Sequence, residues 1–356
     1  MSKYWNQKTN CIKPYIPGEQ PKNQENVIKI NTNECPYPPS PKVLKAIQNC
    51  TDERLRLYPE PSGLEVRKAF AQLNGISPEN VFVGNGSDEV LGLAFAAYFD
   101  SQRSVNFADI TYSFYPVYCK LFDISYHLIP LRQDFSLDIP AFCQAKGGVC
   151  IANPNAPTSI GVPAEQIREI VCSHPEDVVI IDEAYVDFGG ESCIKLIGEY
   201  PNLLVTQTLS KSRALAGLRI GFAAGSRELI QGLEQVKNSF NSYTVDRLAL
   251  AGAEAALLDR AYFTEITGKI IKTRERVSLV LRQMGFSVAP SQTNFLFIEH
   301  SSFRACDLFD YLRDRNILVR YFNRERIDNR LRVTVGTDRE MDRFLGVMEE
   351  FVNERG

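Results

Sequence analysis

The sequence predicts an open α/β fold: a mostly parallel central sheet in a large domain, followed by a smaller α+β domain. The first observation is a series of short apolar runs without polar alternation, which is typical of strands covered on both faces. The second is the helix-period segments between these runs, which supply the crossover connections of a parallel sheet. The third is a change of pattern after residue 260.

Each predicted strand of the large domain is bounded by turn residues. In chain order the strands are NVFV (80–83), SVNF (104–107), GVCIA (148–152), DVVIID (177–182) and NLLVTQT (202–208). Helices are predicted at residues 88–99 and 164–173. Beyond residue 260 the predicted order is a long amphipathic helix (262–284), a strand (294–300), a helix (304–315), a strand (331–337) and a final helix.

A chain of 356 residues exceeds the usual size of one domain, so we expect three regions. Residues 1–40, rich in proline and asparagine, are predicted to form an extended arm that contributes to the small domain and the substrate site. Residues 41–260 form the large domain, and residues 261–356 form the small C-terminal domain.

The composition argues against several classes of protein. A net charge of −3 without a basic block disfavours nucleic-acid binding. The longest mostly apolar run, LGLAFAAYF, is too short to span a bilayer, and the first ten residues lack the apolar core of a signal peptide. The nine cysteines and three histidines show no metal-ligand spacing, which indicates reduced thiols, a cytoplasmic location and no metal site.

Polar residues follow the predicted strands at the edge where an open α/β sheet binds its ligands. A glycine-rich turn follows the first strand and opens a helix, an arrangement that suits a phosphate. The later strands are followed by an aromatic residue, an asparagine turn, a carboxylate with a nearby tyrosine, and a lysine behind two hydroxyl residues. Together these groups are the set that pyridoxal phosphate requires.

Each residue predicted to lie around the aldehyde and the ring of the cofactor has an expected role. Lys211 is expected to bind the cofactor aldehyde, which needs a neutral amine, and burial and a neighbouring cation favour that form. Asp182 is expected to keep the pyridine nitrogen protonated, so that the ring accepts electrons. Tyr185 and Asn155 are candidates to hydrogen-bond the phenolic oxygen of the ring. Tyr112 is expected to stack on the ring face.

The phosphate end is expected to use donors from the glycine turn and the lysine segment, namely Gly86, Ser87, Asp88 and Ser210. Arg219 supplies a fixed charge against the dianion. Each of these pieces alone has an ordinary alternative: a surface lysine, a strand end with a helix cap, an N-capped turn or a solvated arginine. Only their joint occurrence at successive strand ends makes those alternatives improbable.

Three stretches, NPNAPTS, IIDEAYVDF and TLSKSRALAGLRIGF, resemble the fold-type-I pyridoxal-phosphate aminotransferases, and within them the histidinol-phosphate group. The likeness runs through most of the chain. KPYIPG, INTNECPY and LRLYPEPSG are similar to N-terminal segments of the family, and ILVRYF and LRVTVGT to its two arginine-bearing strands.

The resemblance implies that Lys211 is the Schiff-base lysine and Asp182 its pyridinium partner, with Tyr185 as a third catalytic residue. It also implies that Tyr58 reaches the cofactor phosphate of the other subunit, which makes the protein a homodimer with a composite site. The ordinary alternative for Tyr58 is a Tyr-Pro turn. Four further positions match substrate-facing residues of the family, namely Tyr15, Asn33, Arg320 and Arg332. The alternative for Arg332 is an exposed strand arginine.

Four positions depart from the family pattern. Ala156 and Ser159 stand where an asparagine and a glycine are common, so Asn155 either substitutes for a ring contact or that contact is lost. Ile110 replaces a proline before Thr-Tyr, which leaves the placement of Tyr112 open. Cys35 replaces an asparagine, and we assign no function to it.

The reaction implied by the resemblance converts L-histidinol phosphate and 2-oxoglutarate to imidazole acetol phosphate and L-glutamate, as a step of histidine biosynthesis. An aromatic amino-acid aminotransferase and a threonine-phosphate decarboxylase of the same fold are open alternatives. A non-catalytic regulatory homologue is a more distant one, because the chain keeps its lysine and has no added DNA-binding segment. A nucleotide-binding dehydrogenase is disfavoured, because GNGSDE lacks the third glycine of the dinucleotide motif.

Overall fold

The structure is a computed structural model that describes residues 2–16, 18–21 and 26–355. The predicted arm therefore includes positions 1, 17 and 22–25 that lie outside the described residues. The α-helices are α1 (Gln7–Cys11), α2 (Pro41–Cys50), α3 (Leu64–Asn74), α4 (Gly86–Tyr98), α5 (Tyr115–Phe122), α6 (Ile139–Gln144), α7 (Ala164–Ser173), α8 (Arg227–Phe240), α9 (Arg247–Leu258), α10 (Arg260–Gln283), α11 (Ala305–Asp314) and α12 (Asp338–Arg355). The strands are β1 (Ile28–Lys29), β2 (Val81–Asn85), β3 (Val105–Ala108), β4 (Tyr126–Ile129), β5 (Gly148–Ala152), β6 (Val179–Asp182), β7 (Leu203–Thr208), β8 (Ile220–Gly225), β9 (Phe286–Val288), β10 (Phe295–His300), β11 (Ile317–Leu318), β12 (Arg320–Tyr321) and β13 (Leu331–Thr334).

A seven-stranded sheet with the order β2-β8-β7-β6-β5-β3-β4 forms the centre of the molecule. Its strands are parallel except β8, which runs antiparallel to both β2 and β7. The predicted α/β class with a mostly parallel sheet is thus confirmed. The five predicted strands of this sheet are present, and β4 and β8 join them without having been predicted.

Alternate residues of the central strands pack on opposite faces, so both faces are buried. Ile181 and Val205 belong to a core covered by α2, α3, α6, α7 and α9. Their neighbours Ile180 and Leu204 belong to a second core covered by α4, α5 and α8. This arrangement leaves the carboxyl ends of the parallel strands as the open edge of the sheet.

The C-terminal part forms a four-stranded antiparallel sheet with the order β12-β13-β10-β9. Helices α10, α11 and α12 contribute to its apolar core, for example through Leu281, Leu312 and Phe344. β1 pairs in parallel with β11, so the chain before residue 40 joins this unit. We keep the division of the chain at residues 40 and 260 as a proposal.

The N-terminal segment is not extended throughout, because Gln7–Cys11 forms α1. Asn6 caps this helix by accepting a hydrogen bond from the Thr9 amide. The Lys8 amine donates to the Leu121 carbonyl (3.1 Å) and forms an ion pair with Asp123. Over residues 2–16, 18–21 and 26–355, none of the helices has the length and apolar character that a membrane span requires.

Candidate active site

A cavity of about 480 Å³ lies at the carboxyl ends of the parallel strands. Most of the predicted site residues line it, namely Tyr15, Asn33, Ser87, Asp88, Tyr112, Asp182, Tyr185, Ser210, Lys211, Arg219, Arg320 and Arg332. A larger cavity of about 800 Å³ lies between α1 and α5, but Lys8, Lys120 and Asp123 are its only charged lining residues. The convergence of polar groups therefore favours the smaller cavity as the site.

Lys211 lies three residues beyond the end of β7, where the chain leaves the sheet. Its amine has one hydrogen-bond partner among the described residues, the Thr32 carbonyl at 3.5 Å. The amine also lies 5.8 Å from the centre of the Tyr185 ring. Because these contacts are long, the lysine is held in the cavity without a strong partner, as a reactive amine requires.

Asp182 is the last residue of β6, and its carboxylate is buried. Oδ2 accepts a hydrogen bond from the Tyr115 hydroxyl (2.9 Å), and Oδ1 accepts from the Ala184 amide (3.2 Å) and the Thr206 hydroxyl (3.4 Å). Burial raises the pKa of Asp182 from 3.8 to about 6, although these donors oppose that change. Every partner in the described part of the chain is neutral, so the carboxylate needs a cation from outside the chain.

Tyr185 is fixed by the N-terminal segment. Its hydroxyl accepts a hydrogen bond from Asn33 Nδ2 (2.8 Å). Asn33 is buried and has a positive φ of 56°. Its backbone N–H donates to Thr334 Oγ1 (3.0 Å), and its backbone carbonyl accepts from Asn294 Nδ2 (3.0 Å). Asn33 thus ties the cavity wall to the small sheet.

The glycine turn and Arg219 form the opposite end of the cavity. Arg219 Nη2 donates to Asp88 Oδ2 (3.0 Å), and the guanidinium lies over Gly86, where a Cβ would be 2.5 Å from Nη2. The Tyr112 hydroxyl donates to Asp88 Oδ1 (2.6 Å). Both Asp88 oxygens are therefore used to orient these two side chains, and only its backbone amide remains to serve a phosphate as predicted.

Strand β8 lies directly against this turn. A Cβ on Gly221 would be 2.4 Å from both the Gly86 carbon and the Ser87 nitrogen, so only glycine fits there. Beyond the end of β7, the Thr208 and Ser210 hydroxyls form a hydrogen bond (2.9 Å), the Thr208 hydroxyl also lies 3.1 Å from the Ile220 carbonyl, and Ser210 lines the cavity. The cavity therefore has amide, hydroxyl and guanidinium donors at one end.

Asn155 does not occupy its predicted position. Its Nδ2 donates to the Ile110 carbonyl (2.9 Å) and to Thr158 Oγ1 (2.8 Å), while its Oδ1 accepts from Thr111 Oγ1 (2.8 Å). Both amide hydrogens are therefore used inside the protein, and Asn155 is absent from the cavity lining. The geometry gives it the role of anchoring the segment before Tyr112 rather than a contact with the cofactor ring.

Two departures from the family pattern are accommodated locally. Ser159 stands at a common glycine position and adopts a glycine-like φ of 68°. Its backbone carbonyl accepts a hydrogen bond from the backbone N–H of Gln292 (2.9 Å). This bond joins the turn after β5 to the segment before β10 of the small sheet. Ile110 is buried, and Tyr112 lines the cavity without the proline.

Arg332 and Arg320 make the small-sheet side of the cavity positive. Arg332 as a whole is partly exposed. Its Nε, however, is buried and has no acceptor among the described residues. Its Nη2 donates to the Asn31 carbonyl (2.8 Å), and burial lowers the pKa of Arg332. Phe322 lies against both guanidinium groups, 5.6 Å from Arg320 and 5.7 Å from Arg332. Two cations with no carboxylate partner among residues 2–16, 18–21 and 26–355 form a site for an anion.

Tyr58 does not reach the cavity of its own chain. It is 78% exposed and stacks on Tyr243, with 4.6 Å between ring centres. Its role toward a second subunit stays a prediction.

Tyr115 and Phe322 are site residues that the sequence analysis missed. Tyr115 is separated from Asp182 by 67 residues, and no local pattern pairs them. Phe322 follows the predicted arginine strand, so an aromatic residue two positions after Arg320 is a usable signal.

The fold and the site define an aminotransferase. The chain belongs to this family, because the family model described as "Aminotransferase class I and II" matches residues 25–348. Among similar proteins, the histidinol-phosphate aminotransferase of Clostridium acetobutylicum is 56% identical over 99% of this chain and 100% of its own length. Histidinol-phosphate aminotransferase 1 of Bordetella parapertussis is 52% identical over 98% of this chain and 99% of its own.

A solved structure has the same fold at lower identity. Histidinol-phosphate aminotransferase from Sinorhizobium meliloti, in complex with pyridoxal-5'-phosphate, superposes with a TM-score of 0.89. The match covers 100% of this chain and 99% of that chain, at 23% identity.

Proposed function

We propose that this enzyme is a pyridoxal-phosphate-dependent aminotransferase of histidine biosynthesis. It transfers the amino group of L-histidinol phosphate to 2-oxoglutarate and yields imidazole acetol phosphate and L-glutamate. The full-length likeness to histidinol-phosphate aminotransferases supports the substrate assignment.

The observation that carries this proposal is the buried Asp182 carboxylate, which faces the same cavity as the Lys211 amine and has only neutral partners. A protonated pyridine nitrogen is the cation that fits such a carboxylate. The donors around Gly86 and Arg219 fit a phosphate at the other end. The residues present therefore fit pyridoxal phosphate, which when bound supplies an aldehyde for the amine and a ring that accepts electrons.

The chain's own residues perform the remaining work. Lys211 Nζ is placed to remove the proton from the amino donor's Cα and to return it during the transfer. Asp182 would maintain a positive charge on the ring nitrogen. Tyr185, oriented by Asn33, would hydrogen-bond the ring oxygen, and Tyr112 would cover one face of the ring.

The substrate must present an anion to Arg320 and Arg332. A phosphate monoester and a dicarboxylate both satisfy this requirement, which matches the two substrates of the proposed reaction. The aromatic rings of Tyr15, Phe114 and Phe322 line the same cavity and suit a flat ring such as imidazole.

We further propose a homodimer in which Tyr58 contacts the phosphate in its partner's site. An exposed apolar surface around Tyr58 and Tyr243 supports it; the other large apolar side chains exposed in these two segments are Leu55, Leu57, Leu64 and Phe240. The test is complementation. A Tyr58→Ala chain, weakly active alone, and a Lys211→Ala chain, inactive alone, should regain activity when their subunits are exchanged, because one site of the mixed dimer is intact. No regain on mixing would contradict the composite site.

A cytoplasmic location is part of the proposal. All nine cysteines are free in the structure, which is usual in a reducing compartment.

Absorbance spectroscopy tests the function. Protein with added pyridoxal phosphate should show a visible band that L-histidinol phosphate bleaches faster than phenylalanine or threonine phosphate does. Borohydride should fix the cofactor mass on the peptide that contains Lys211, and Lys211→Ala should lose both the fixation and turnover. Equal bleaching by phenylalanine would instead assign an aromatic substrate. Absence of any band would remove the proposed class.

A further inference from the structure

The loop that joins the two arginine-bearing strands is bonded to the large sheet. This loop, residues 322–330, connects β12 to β13. Arg326 Nη1 donates to Asp109 Oδ2 (2.7 Å), and its Nη2 donates to the carbonyls of Leu131 (2.8 Å) and Arg132 (3.0 Å). Arg324 Nη2 donates to the Asp109 carbonyl. We call Asp109, Arg324 and Arg326 the clasp.

Asp109 is the centre of this network. It directly follows β3, and its Oδ1 accepts from the amides of Ile110 (2.9 Å) and Leu131 (2.8 Å). Both oxygens of the carboxylate and the backbone carbonyl are thus used, so the direction in which the chain leaves β3 is fixed. The ion pair with Arg326 is partly screened from solvent, because the side chains are only 21% and 34% exposed.

The ring of Phe135 packs against Arg326 of the clasp. Phe135 is buried with a positive φ of 65°, and its ring lies 5.7 Å from the Arg326 guanidinium and 4.8 Å from that of Arg330. It also packs edge-on against Phe297 of β10, with 5.9 Å between ring centres. Phe135, in the loop between β4 and α6, therefore contacts both β10 of the small sheet and the loop 322–330.

The clasped segment continues into the cavity wall. Thr111 and Tyr112, two and three residues after Asp109, line the active-site cavity. Asn155 holds the same segment from the other side through the Ile110 carbonyl and Thr111 Oγ1. On the small-sheet side, the loop begins two residues after Arg320 and ends two residues before Arg332.

We propose that Asp109 and Arg326 are positioning residues of the transamination reaction. They hold the anion-binding arginines at a fixed distance from the wall that carries Tyr112, so that a substrate bound through its anion presents its Cα to Lys211. This inference rests on the proposed function. The cofactor contacts around Asp88, Asp182 and Arg219 do not touch the clasp.

The test compares Asp109→Asn, Arg326→Gln, their double variant and Arg326→Lys with the wild type. Arg276→Gln is the matched control, because Arg276 forms ion pairs with Asp338 and Asp342 on the surface of the small sheet's helices. Each neutral variant should raise KM for both substrates about tenfold and change kcat less than about threefold, since positioning is lost and chemistry is kept. Cofactor affinity, from its absorbance titration, should change less than KM, because Asp182, Lys211 and Arg219 are kept and only the wall that carries Tyr112 is loosened.

Coupling is measured in two further ways. The double variant should be no worse than Arg326→Gln alone, because Asp109→Asn removes only the ion pair that Arg326→Gln also removes, and Arg326→Lys should recover part of the loss. Hydrogen–deuterium exchange of substrate-free protein should increase in both peptides 109–115 and 322–330 for the neutral variants and in neither for Arg276→Gln. Exchange that increases in 322–330 alone, additive effects on KM, or unchanged KM overturns the inference. Wild-type protein that transaminates no donor contradicts the proposed function, and the exchange experiment still decides the clasp.

Discussion

Replacing Asp182 by asparagine should make the cofactor-free protein more stable. Burial raises the pKa of this carboxyl from 3.8 to about 6, so the folded state disfavours the charged form. The cost is absent below the unfolded-state pKa of 3.8, grows as the pH rises, and is complete above the folded-state pKa. At pH 8 it amounts to about 3 kcal/mol, and at pH 5 to about half of that.

Asparagine removes this cost and keeps the shape of the side chain. Its oxygen still accepts from the Ala184 amide, and its nitrogen can donate to the Tyr115 hydroxyl oxygen. Asp182→Asn should therefore raise the free energy of unfolding by about 3 kcal/mol at pH 8 and by about half as much at pH 5. With pyridoxal phosphate the order should reverse, because the cofactor then stabilises the wild type more strongly.

Urea unfolding followed by circular dichroism measures both quantities, in protein stripped of cofactor and in protein with cofactor added. Asp310→Asn is the control, since Asp310 is an exposed residue of α11 and should show no pH-dependent gain. A variant that is no more stable than the wild type at pH 8, or a gain that does not shrink toward pH 5, would refute the reasoning.

Gly221→Ala should lower the free energy of unfolding by about 2 kcal/mol or more, because a Cβ would be 2.4 Å from the backbone of the glycine turn. Gly217→Ala, at a position with open space around it, should not lower it, and chemical denaturation compares the two variants. Arg332→Gln should raise KM for 2-oxoglutarate about 100-fold in steady-state kinetics, and a change under threefold would contradict the assigned anion site. Tyr115→Phe removes a hydroxyl donor from Asp182, so the pKa of Asp182 should rise further, and in urea unfolding the loss of stability with increasing pH should become larger and extend to higher pH from the same starting point.

The sequence predicted the parts of the fold that local patterns encode. The continuous apolar runs at residues 148–152 and 177–182 fall on β5 and β6, and the helix at residues 164–173 coincides with α7. β8 was missed because four of the six residues in its sequence, IGFAAG, are glycine or alanine, which are depleted in strands, and only Ile220 is β-branched. It is a strand because it is inserted between β2 and β7, a pairing that no local pattern contains.

The same limit applies to the candidate site. The strand-end rule placed Ser87, Asp182 and Lys211 in one cavity, because parallel strands end at a common edge. It could not orient side chains. Asn155 was a candidate to contact the ring, with loss of that contact as the alternative, and Thr111 and the Ile110 carbonyl, both more than forty residues away in sequence, satisfy its side-chain amide instead.

Arg332 Nε has no acceptor among the described residues, and this should affect which variants directed evolution selects. A library sorted for heat tolerance without ligand rewards loss of any desolvated cation, so replacements at this arginine should accumulate early. The variants selected in this way would be more heat-stable but would have lost aminotransferase activity. Including a dicarboxylate during the heating step would protect the native residue, because the ligand then supplies the missing counter-charge.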